Sequence, residues 1–189
     1  MTNNYNKLPE GLPVPIDDGQ AAHLEGLQLP DISLPSTDGQ NFSFDINSNP
    51  KKLVIYVYPL TGQPDVALPD GWDEIPGARG CTPQACDFSG HHQQFMSLNT
   101  QVFGLSTQTT AYQLVLKNRL HLSFDLLSDV DLKLKQSLNL PTFKVGNLTL
   151  YKRLTLIIEQ NTIKKVFYPV FPPNKHASQV LDWLKSHPS

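Results

Sequence analysis

The sequence predicts an α/β fold in which one sheet carries helices on both faces. Short apolar runs rich in β-branched and aromatic residues alternate with segments whose apolar residues recur at helical spacing. The 189 residues, of which 39% are hydrophobic and 17% charged, suffice for one globular domain with a substantial core. We therefore expect a single domain over residues 26–189, preceded by an irregular, proline-rich leader over residues 1–25.

The first half of the chain predicts a hairpin, a buried strand and a long loop. Apolar and polar residues alternate around an Asp-Gly turn and predict a β-hairpin over residues 27–44. The run LVIYVY at residues 53–58 is typical of a central, buried strand. Residues 59–80 contain four prolines and four glycines and therefore predict a loop. A loop of this length inside a compact domain is usually functional.

The second half alternates helices with strands. Thr82 and Pro83 predict the N-cap and first turn of a helix that continues toward residue 97. Further helices are predicted over residues 109–118, 131–138 and 175–185. Strands are predicted over residues 102–105, 122–127, 153–158 and 163–167. The last two strands are separated by a Gln-Asn turn and predict a second hairpin.

The chain contains two cysteines, Cys81 and Cys86, both at the start of the first predicted helix. A thiol at a helix N-terminus ionises readily because the helix dipole favours negative charge there. A second thiol nearby fits a redox enzyme in which the first sulfur becomes a sulfenic acid and the second condenses with it to a disulfide. Arg79 in the preceding loop and Arg153 on a late strand are candidate cations beside the thiolate.

Other interpretations of the cysteines remain open at this point. Two cysteines are often inert core residues. Together with the neighbouring His91 and His92 they form a possible zinc site, although adjacent helical histidines point about 100° apart and zinc sites prefer closer cysteines. A thioredoxin-type dithiol exchanger requires two residues between its cysteines, whereas four separate them here.

Charge and composition disfavour several classes of protein. The net charge of −2 favours neither nucleic acid nor an anionic membrane as a partner. No apolar run approaches the roughly 20 residues of a membrane-spanning helix. The polar N-terminal residues lack the apolar stretch of a secretory signal, so we expect a cytoplasmic location, where thiols stay reduced. No nucleotide-binding motif of the GxGxxG or phosphate-loop type occurs, so we expect no cofactor.

The order of several motifs resembles that of the peroxiredoxins, and within them the Q type, also called bacterioferritin comigratory protein. The resemblance covers about residues 26–186. The motifs are LPDI at 29, DG at 38, VIYVYP at 54, GCTPQACDF at 80, LLSD at 126, RLTLII at 153 and a closing helix over 176–184. The resemblance implies a thioredoxin-like fold, with a central mixed sheet flanked by helices and an N-terminal β-hairpin extension.

The resemblance also implies roles for individual residues. Cys81 matches the peroxidatic cysteine, and Cys86 matches the resolving cysteine of the subtype that closes a disulfide within one chain. Arg153 matches the arginine that hydrogen-bonds the thiolate and the peroxide. Pro59 matches the proline that opens the active-site motif and shields the thiolate.

The implied activity is that of an antioxidant, thiol-dependent peroxidase that acts on hydrogen peroxide or organic hydroperoxides and needs no cofactor. Thioredoxin or a similar dithiol protein is the implied reductant, and the chain is expected to be a monomer or a homodimer. The alternative is a redox sensor or binding module on the same fold that is slow or not catalytic.

The segment before Cys81 departs from the family pattern. The family has Thr or Ser three residues before this cysteine, and Ala78 occupies that position here. An insertion over about residues 60–78 precedes the cysteine. Thr61 is our candidate for the missing hydroxyl, provided that the insertion bulges outward. Gln84 replaces the family's glutamate and removes a charge from the first helical turn.

Formation of a Cys81–Cys86 disulfide is predicted to unwind the helix locally. In an intact α-helix, Cα atoms five residues apart are separated by about 8.6 Å, whereas a disulfide requires less than about 7 Å. Amide hydrogen exchange over residues 81–86 should therefore be faster in the oxidised protein than in the reduced protein. Equal protection of this segment in the two forms would contradict the prediction.

Overall fold

The computed structural model describes residues 4–45 and 52–189. The strands are β1 (Ser33–Pro35), β2 (Asn41–Ser43), β3 (Lys52–Val57), β4 (Thr100–Ser106), β5 (Leu126–Ser128), β6 (Thr142–Val145), β7 (Leu148–Tyr151), β8 (Leu154–Glu159) and β9 (Thr162–Phe167). The helices are α1 (Cys81–Gly90), α2 (His92–Ser97), α3 (Thr110–Leu120), α4 (Lys133–Leu138) and α5 (His176–Ser186). In the described ranges, no helix combines the length and apolarity needed to cross a bilayer.

A five-stranded mixed sheet forms the centre of the fold, in the order β5-β4-β3-β8-β9. The strand β3 pairs in parallel with β4 and antiparallel with β8. Alternate side chains of β3 enter two hydrophobic clusters, one on each face of the sheet. Helices α1, α2, α3 and α5 contribute to one cluster, while α4 and the β1–β2 hairpin pack on the other. The predicted α/β fold, with a mixed sheet flanked by helices, is confirmed.

The first predicted helix differs from the observed one at both ends. It was expected to run from residue 82 toward 97, but it is divided at His91, where the backbone leaves helical geometry with φ −99° and ψ 4°. Helix α1 begins at Cys81, so that Gly80 rather than Thr82 is its N-cap. The prediction that Thr82 caps this helix was therefore wrong, because a glycine turn already directs the chain into the helix.

Several strand predictions also need correction. The strand predicted over residues 122–127 is confined to β5, since the residues before it form a turn and a bend. Arg153 precedes β8 instead of beginning it. The β6–β7 hairpin was not predicted, although the sequence TFKVGNLTLY alternates apolar and polar residues around a Gly-Asn pair, which is a hairpin signal.

The leader and the insertion both pack on the sheet and helices. Residues 4–25 form turns without a helix or strand, yet Tyr5, Ala21 and Leu24 are buried. In the insertion, Trp72 is buried in a third hydrophobic cluster, which includes Leu150 of β7. These two segments meet around the first turn of α1.

Candidate active site

Gly80 determines where α1 begins. Its φ of +108° lies in the region that favours glycine. A Cβ at this position would lie 2.5 Å from Cγ of Pro173 and 2.8 Å from Cδ1 of Leu8. A glycine is therefore needed for the backbone to pack against these two side chains. With this turn at Gly80, Cys81 is the first residue of the helix.

Arg153 lies against the sulfur of Cys81. Its Nη2 atom donates to Sγ of Cys81 at 3.1 Å and to the carbonyl oxygen of Ala78 at 3.0 Å. The two side chains are only 3% and 4% exposed. The contact places the positive charge of Arg153 directly against the sulfur of Cys81. The structure thus brings together two residues that are 72 positions apart in the chain.

The sheet explains why Arg153 reaches the site. Leu154 of β8 pairs with Val57 of β3, so Arg153 lies at the end of the sheet where the chain leaves β3. The guanidinium is further held by the carbonyl oxygen of Gly77, which accepts from Nε at 3.2 Å. One cation therefore orders the backbone that leads into α1.

Gln84 is a partner of Arg153 that the sequence analysis missed. It is fully buried in α1, and its Oε1 accepts a hydrogen bond from Nη1 of Arg153. Its Nε2 has no hydrogen-bond partner among the described residues. Because an amide is neutral, Gln84 orients the guanidinium but does not balance its charge. A glutamate at this position would balance it. The positive charge of Arg153 therefore faces the sulfur without a competing carboxylate at this position.

Arg79, the other candidate cation, lines a small cavity together with Cys81, but its charge is paired with another side chain. Its Nη1 atom forms an ion pair with Asp73 at 2.9 Å, and its guanidinium lies over the ring of Tyr5, 5.5 Å from the centroid. Among the described residues, the hydrogen bond to the Cys81 sulfur comes from Arg153 and not from Arg79.

Thr61 and Cys81 line the same small cavity, which has a volume of about 10 Å³. Oγ1 of Thr61 donates to Oε1 of Gln108 at 3.0 Å, and Nε2 of Gln108 donates to the carbonyl oxygen of Thr61 at 3.1 Å. Because the hydroxyl proton points to Gln108, the oxygen lone pairs remain able to accept a hydrogen bond from a molecule in the cavity. Gln108 was not identified as a site residue from the sequence.

Neither Pro59 nor Ala78 lines this cavity. Pro59 is buried just after β3. Ala78 is buried in the loop before α1, and its carbonyl oxygen accepts from the Cys81 thiol at 3.6 Å. Its methyl side chain offers no hydroxyl, so Ala78 contributes its backbone oxygen alone.

Cys86 lies on the second turn of α1 and is exposed, and both thiols are free. It borders a surface groove together with residues 6–8 of the leader. Partial burial raises the pKa of the Cys86 thiol, while the charge of Arg119 opposes the shift. The two cysteines occupy one continuous helix, as the unwinding prediction requires.

Comparison with known proteins assigns the chain to a family. Residues 24–182 match the family model described as Redoxin. The chain belongs to the Redoxin family. The chloroplastic peroxiredoxin Q of Suaeda salsa is 29% identical to this redoxin over 163 residues, which cover 86% of this chain and 68% of the relative.

Solved structures show the same fold. Peroxidoxin BcpB of Mycobacterium tuberculosis gives a TM-score of 0.69 at 21% identity, covering 88% of this redoxin and 100% of the other chain. The bacterioferritin comigratory protein of Xanthomonas campestris gives 0.66 at 21% identity, covering 86% and 98%. The predicted thioredoxin-like fold, the resemblance to Q-type peroxiredoxins and the enzyme class, a thiol peroxidase among the oxidoreductases, are confirmed.

His176 is a second buried polar residue of this redoxin whose contacts could not be predicted from the sequence. Its Nδ1 donates to Oε1 of Gln179 at 3.0 Å, so its Nε2 accepts from the hydroxyl of Thr155 at 2.9 Å. Burial lowers the pKa of His176 to about 4, and the charge of Arg153 adds to the shift. The imidazole is therefore neutral near pH 7 and brings no second cation to this region.

The structure does not assemble the zinc site considered from the sequence. Within residues 4–45 and 52–189, no group of three or more His, Cys, Asp or Glu side chains is placed to share a metal ion. Nδ1 of His91 instead lies 2.8 Å from the carbonyl oxygen of Asp87.

Replacement of Thr61 by Val is expected to slow the oxidation of Cys81 by hydrogen peroxide roughly tenfold, because one hydrogen bond of about 1.5 kcal/mol to the peroxide is lost. Stopped-flow tryptophan fluorescence gives the second-order rate constant. Thr61→Ser, which keeps the hydroxyl, is the matched control and should retain most of the rate. An unchanged rate in Thr61→Val would remove the hydroxyl from the mechanism.

Proposed function

We propose that this redoxin reduces peroxides through a Cys81 sulfenic acid, which Cys86 resolves as an intrachain disulfide. The observation that carries the proposal is the hydrogen bond from Arg153 to the Cys81 sulfur at the first residue of a ten-residue helix. The helix N-terminus and the guanidinium both stabilise negative charge at the sulfur. They remain in place when that charge shifts toward the peroxide oxygen during the reaction.

In the first step, the thiolate of Cys81 attacks the terminal oxygen of the hydroperoxide. An S–O bond forms while the O–O bond breaks, so sulfur is oxidised by two electrons and the peroxide is reduced. The leaving oxygen takes the O–O electron pair and one proton, equivalent to the proton that the Cys81 thiol released when it ionised, and departs as an alcohol or as water. Arg153 stabilises the charge shared between sulfur and the leaving oxygen, and Thr61 accepts a hydrogen bond that orients the peroxide. Pro59 limits access of water from the end of β3.

In the second step, the Cys86 thiol condenses with the sulfenic acid. The sulfurs form a disulfide, and the hydroxyl of the sulfenic acid leaves with the thiol proton as water. Partial burial raises the pKa of Cys86, so its thiol is protonated near pH 7 and must lose that proton as it attacks, because the thiolate is the nucleophile. Because an intact α1 holds the two cysteines apart, residues 81–86 unwind before the bond forms.

A dithiol protein such as thioredoxin then reduces the disulfide by thiol–disulfide exchange. The exposed position of Cys86 gives such a partner access to one of the two sulfurs. We place the protein in a reducing compartment, with the cytoplasm as our prediction, although the Suaeda salsa relative is chloroplastic. We also propose that residues 26–189 are one redoxin domain with an insertion over about residues 60–78, working as a monomer or a homodimer.

Peroxide-dependent NADPH consumption in the presence of thioredoxin and its reductase tests the proposal. The wild-type protein should turn over, and Cys81→Ser should abolish turnover because the attacking sulfur is gone. Cys86→Ser should also stop turnover, yet it should still form one sulfenic acid per chain. Trapping by dimedone followed by mass spectrometry detects this product.

Two results would contradict the scheme. Full thioredoxin-dependent turnover by Cys86→Ser would exclude Cys86 as the resolving residue. A wild-type protein that forms one disulfide per chain slowly and without turnover would favour the redox sensor instead.

A further inference from the structure

The cavity beside Cys81 is closed by side chains from outside the central sheet and its helices. Tyr5 comes from the leader, while Leu68 and Trp72 come from the insertion. We call these three side chains the lid. We propose that the lid selects peroxides by size, with Tyr5 as its movable part, so that hydrogen peroxide reacts faster than bulky organic hydroperoxides. This inference rests on the proposed peroxidase function of Cys81.

The cavity is too small to admit a peroxide unless the lid moves. Its volume of about 10 Å³ is the space of one water molecule. Cys81 and Thr61 are 3% and 1% exposed, so neither is open to solvent. Hydrogen peroxide has two oxygen atoms and requires a small displacement of the lid. A tertiary organic group requires a larger displacement, and the free energy of opening grows with it.

The two aromatic members of the lid are anchored differently. Trp72 begins a 3₁₀ turn and is buried with Leu150, and its ring centroid lies 6.2 Å from that of Phe143 in β6. Tyr5 lies in a segment without helix or strand. Its hydroxyl donates to the carbonyl oxygen of Val66 at 2.9 Å, and its ring faces Arg79. Opening at Tyr5 therefore leaves the central sheet and the Trp72 cluster intact.

Gly62 gives the Tyr5 ring its close fit. A Cβ at position 62 would lie 2.9 Å from Cε1 and from Cζ of the ring, which is closer than a Cβ contact allows. Gly62 has no positive φ, so alanine is compatible with its backbone. Gly62→Ala therefore displaces the ring without altering Tyr5 itself, and provides a second, independent way to open the lid.

An outer groove offers space for the organic group once the lid is open. It has a volume of about 510 Å³ and shares Leu60, Gly62 and Leu68 with the cavity at Cys81. Other lining residues include Val66 and Leu148. A hydroperoxide that pushes the lid aside can extend its apolar group along these side chains, so opening the lid is expected to increase activity toward bulky substrates.

The test compares kcat/KM for hydrogen peroxide and for cumene hydroperoxide. The ratio of the bulky to the small substrate should rise at least about fivefold in Tyr5→Ala and in Gly62→Ala, which corresponds to a barrier lower by about 1 kcal/mol. Tyr5→Phe keeps the ring and should stay within about twofold of the wild-type ratio. Ile16→Ala changes an exposed leader residue away from the cavity and should match the wild type.

An unchanged ratio in both Tyr5→Ala and Gly62→Ala, with turnover of hydrogen peroxide retained, would contradict size selection by the lid. The proposed peroxidase function would be unaffected by that result. Alkylation of Cys81 in a Cys86→Ser background tests the same size filter without peroxide chemistry. If the lid is a size filter, the ratio of the alkylation rate with N-phenylmaleimide to the rate with the smaller iodoacetamide should rise when Tyr5→Ala or Gly62→Ala is added. Equal relative alkylation rates in all these proteins would overturn the lid, whether or not the protein turns over peroxide.

Discussion

The contact between the Arg153 guanidinium and the Cys81 sulfur is the interaction on which the rest of the site depends. A buried guanidinium needs acceptors, because an unpaired buried charge costs several kcal/mol. Carbonyl oxygens of the loop before α1, the oxygen of Gln84 and the sulfur itself provide them. Because Gln84 is neutral, none of these oxygen acceptors carries a formal negative charge. The same cation that holds the loop together is therefore also the donor to the sulfur on which the proposed reaction depends.

Three distant parts of the chain meet to make this contact possible. The antiparallel pairing of β3 with β8 brings Arg153 to the end of β3, where Thr61 follows. The glycine turn at Gly80 starts α1 so that Cys81 is its first residue. His176 contacts Thr155 of β8, is neutral near pH 7 and therefore adds no positive charge to this region. The insertion changes the route of the chain between Thr61 and Cys81, yet both side chains reach one cavity. The longer loop between Thr61 and Cys81 is thus compatible with placing both side chains at one cavity.

Local patterns in the sequence were enough to predict the buried strand β3, the two cysteines on one helix and the late hairpin, because these depend on periodicity and turn chemistry. The proximity of Arg153 to Cys81 followed only from a family resemblance, since strand pairing across the sheet leaves no local signal. The partnership of Gln84 with Arg153 and the closure by Tyr5 depend on tertiary contacts, which periodicity does not encode. The break at His91 is a local change of backbone geometry within a segment whose pattern is helical on both sides. The alternation in β6–β7 was a readable signal that the sequence analysis did not use.

The central claim is that the positive charge of Arg153 activates Cys81. The most direct measurement is the second-order rate constant for oxidation of Cys81 by hydrogen peroxide in Arg153→Gln, with urea unfolding to verify the fold. Lys152→Gln, which removes the neighbouring cation paired with Asp18, is the electrostatic control. We expect Arg153→Gln to lower the rate constant by about 100-fold or more, as the loss of a preorganised donor does elsewhere, and Lys152→Gln to leave it nearly unchanged. Equal rate constants in a folded Arg153→Gln variant and the wild type would contradict the account.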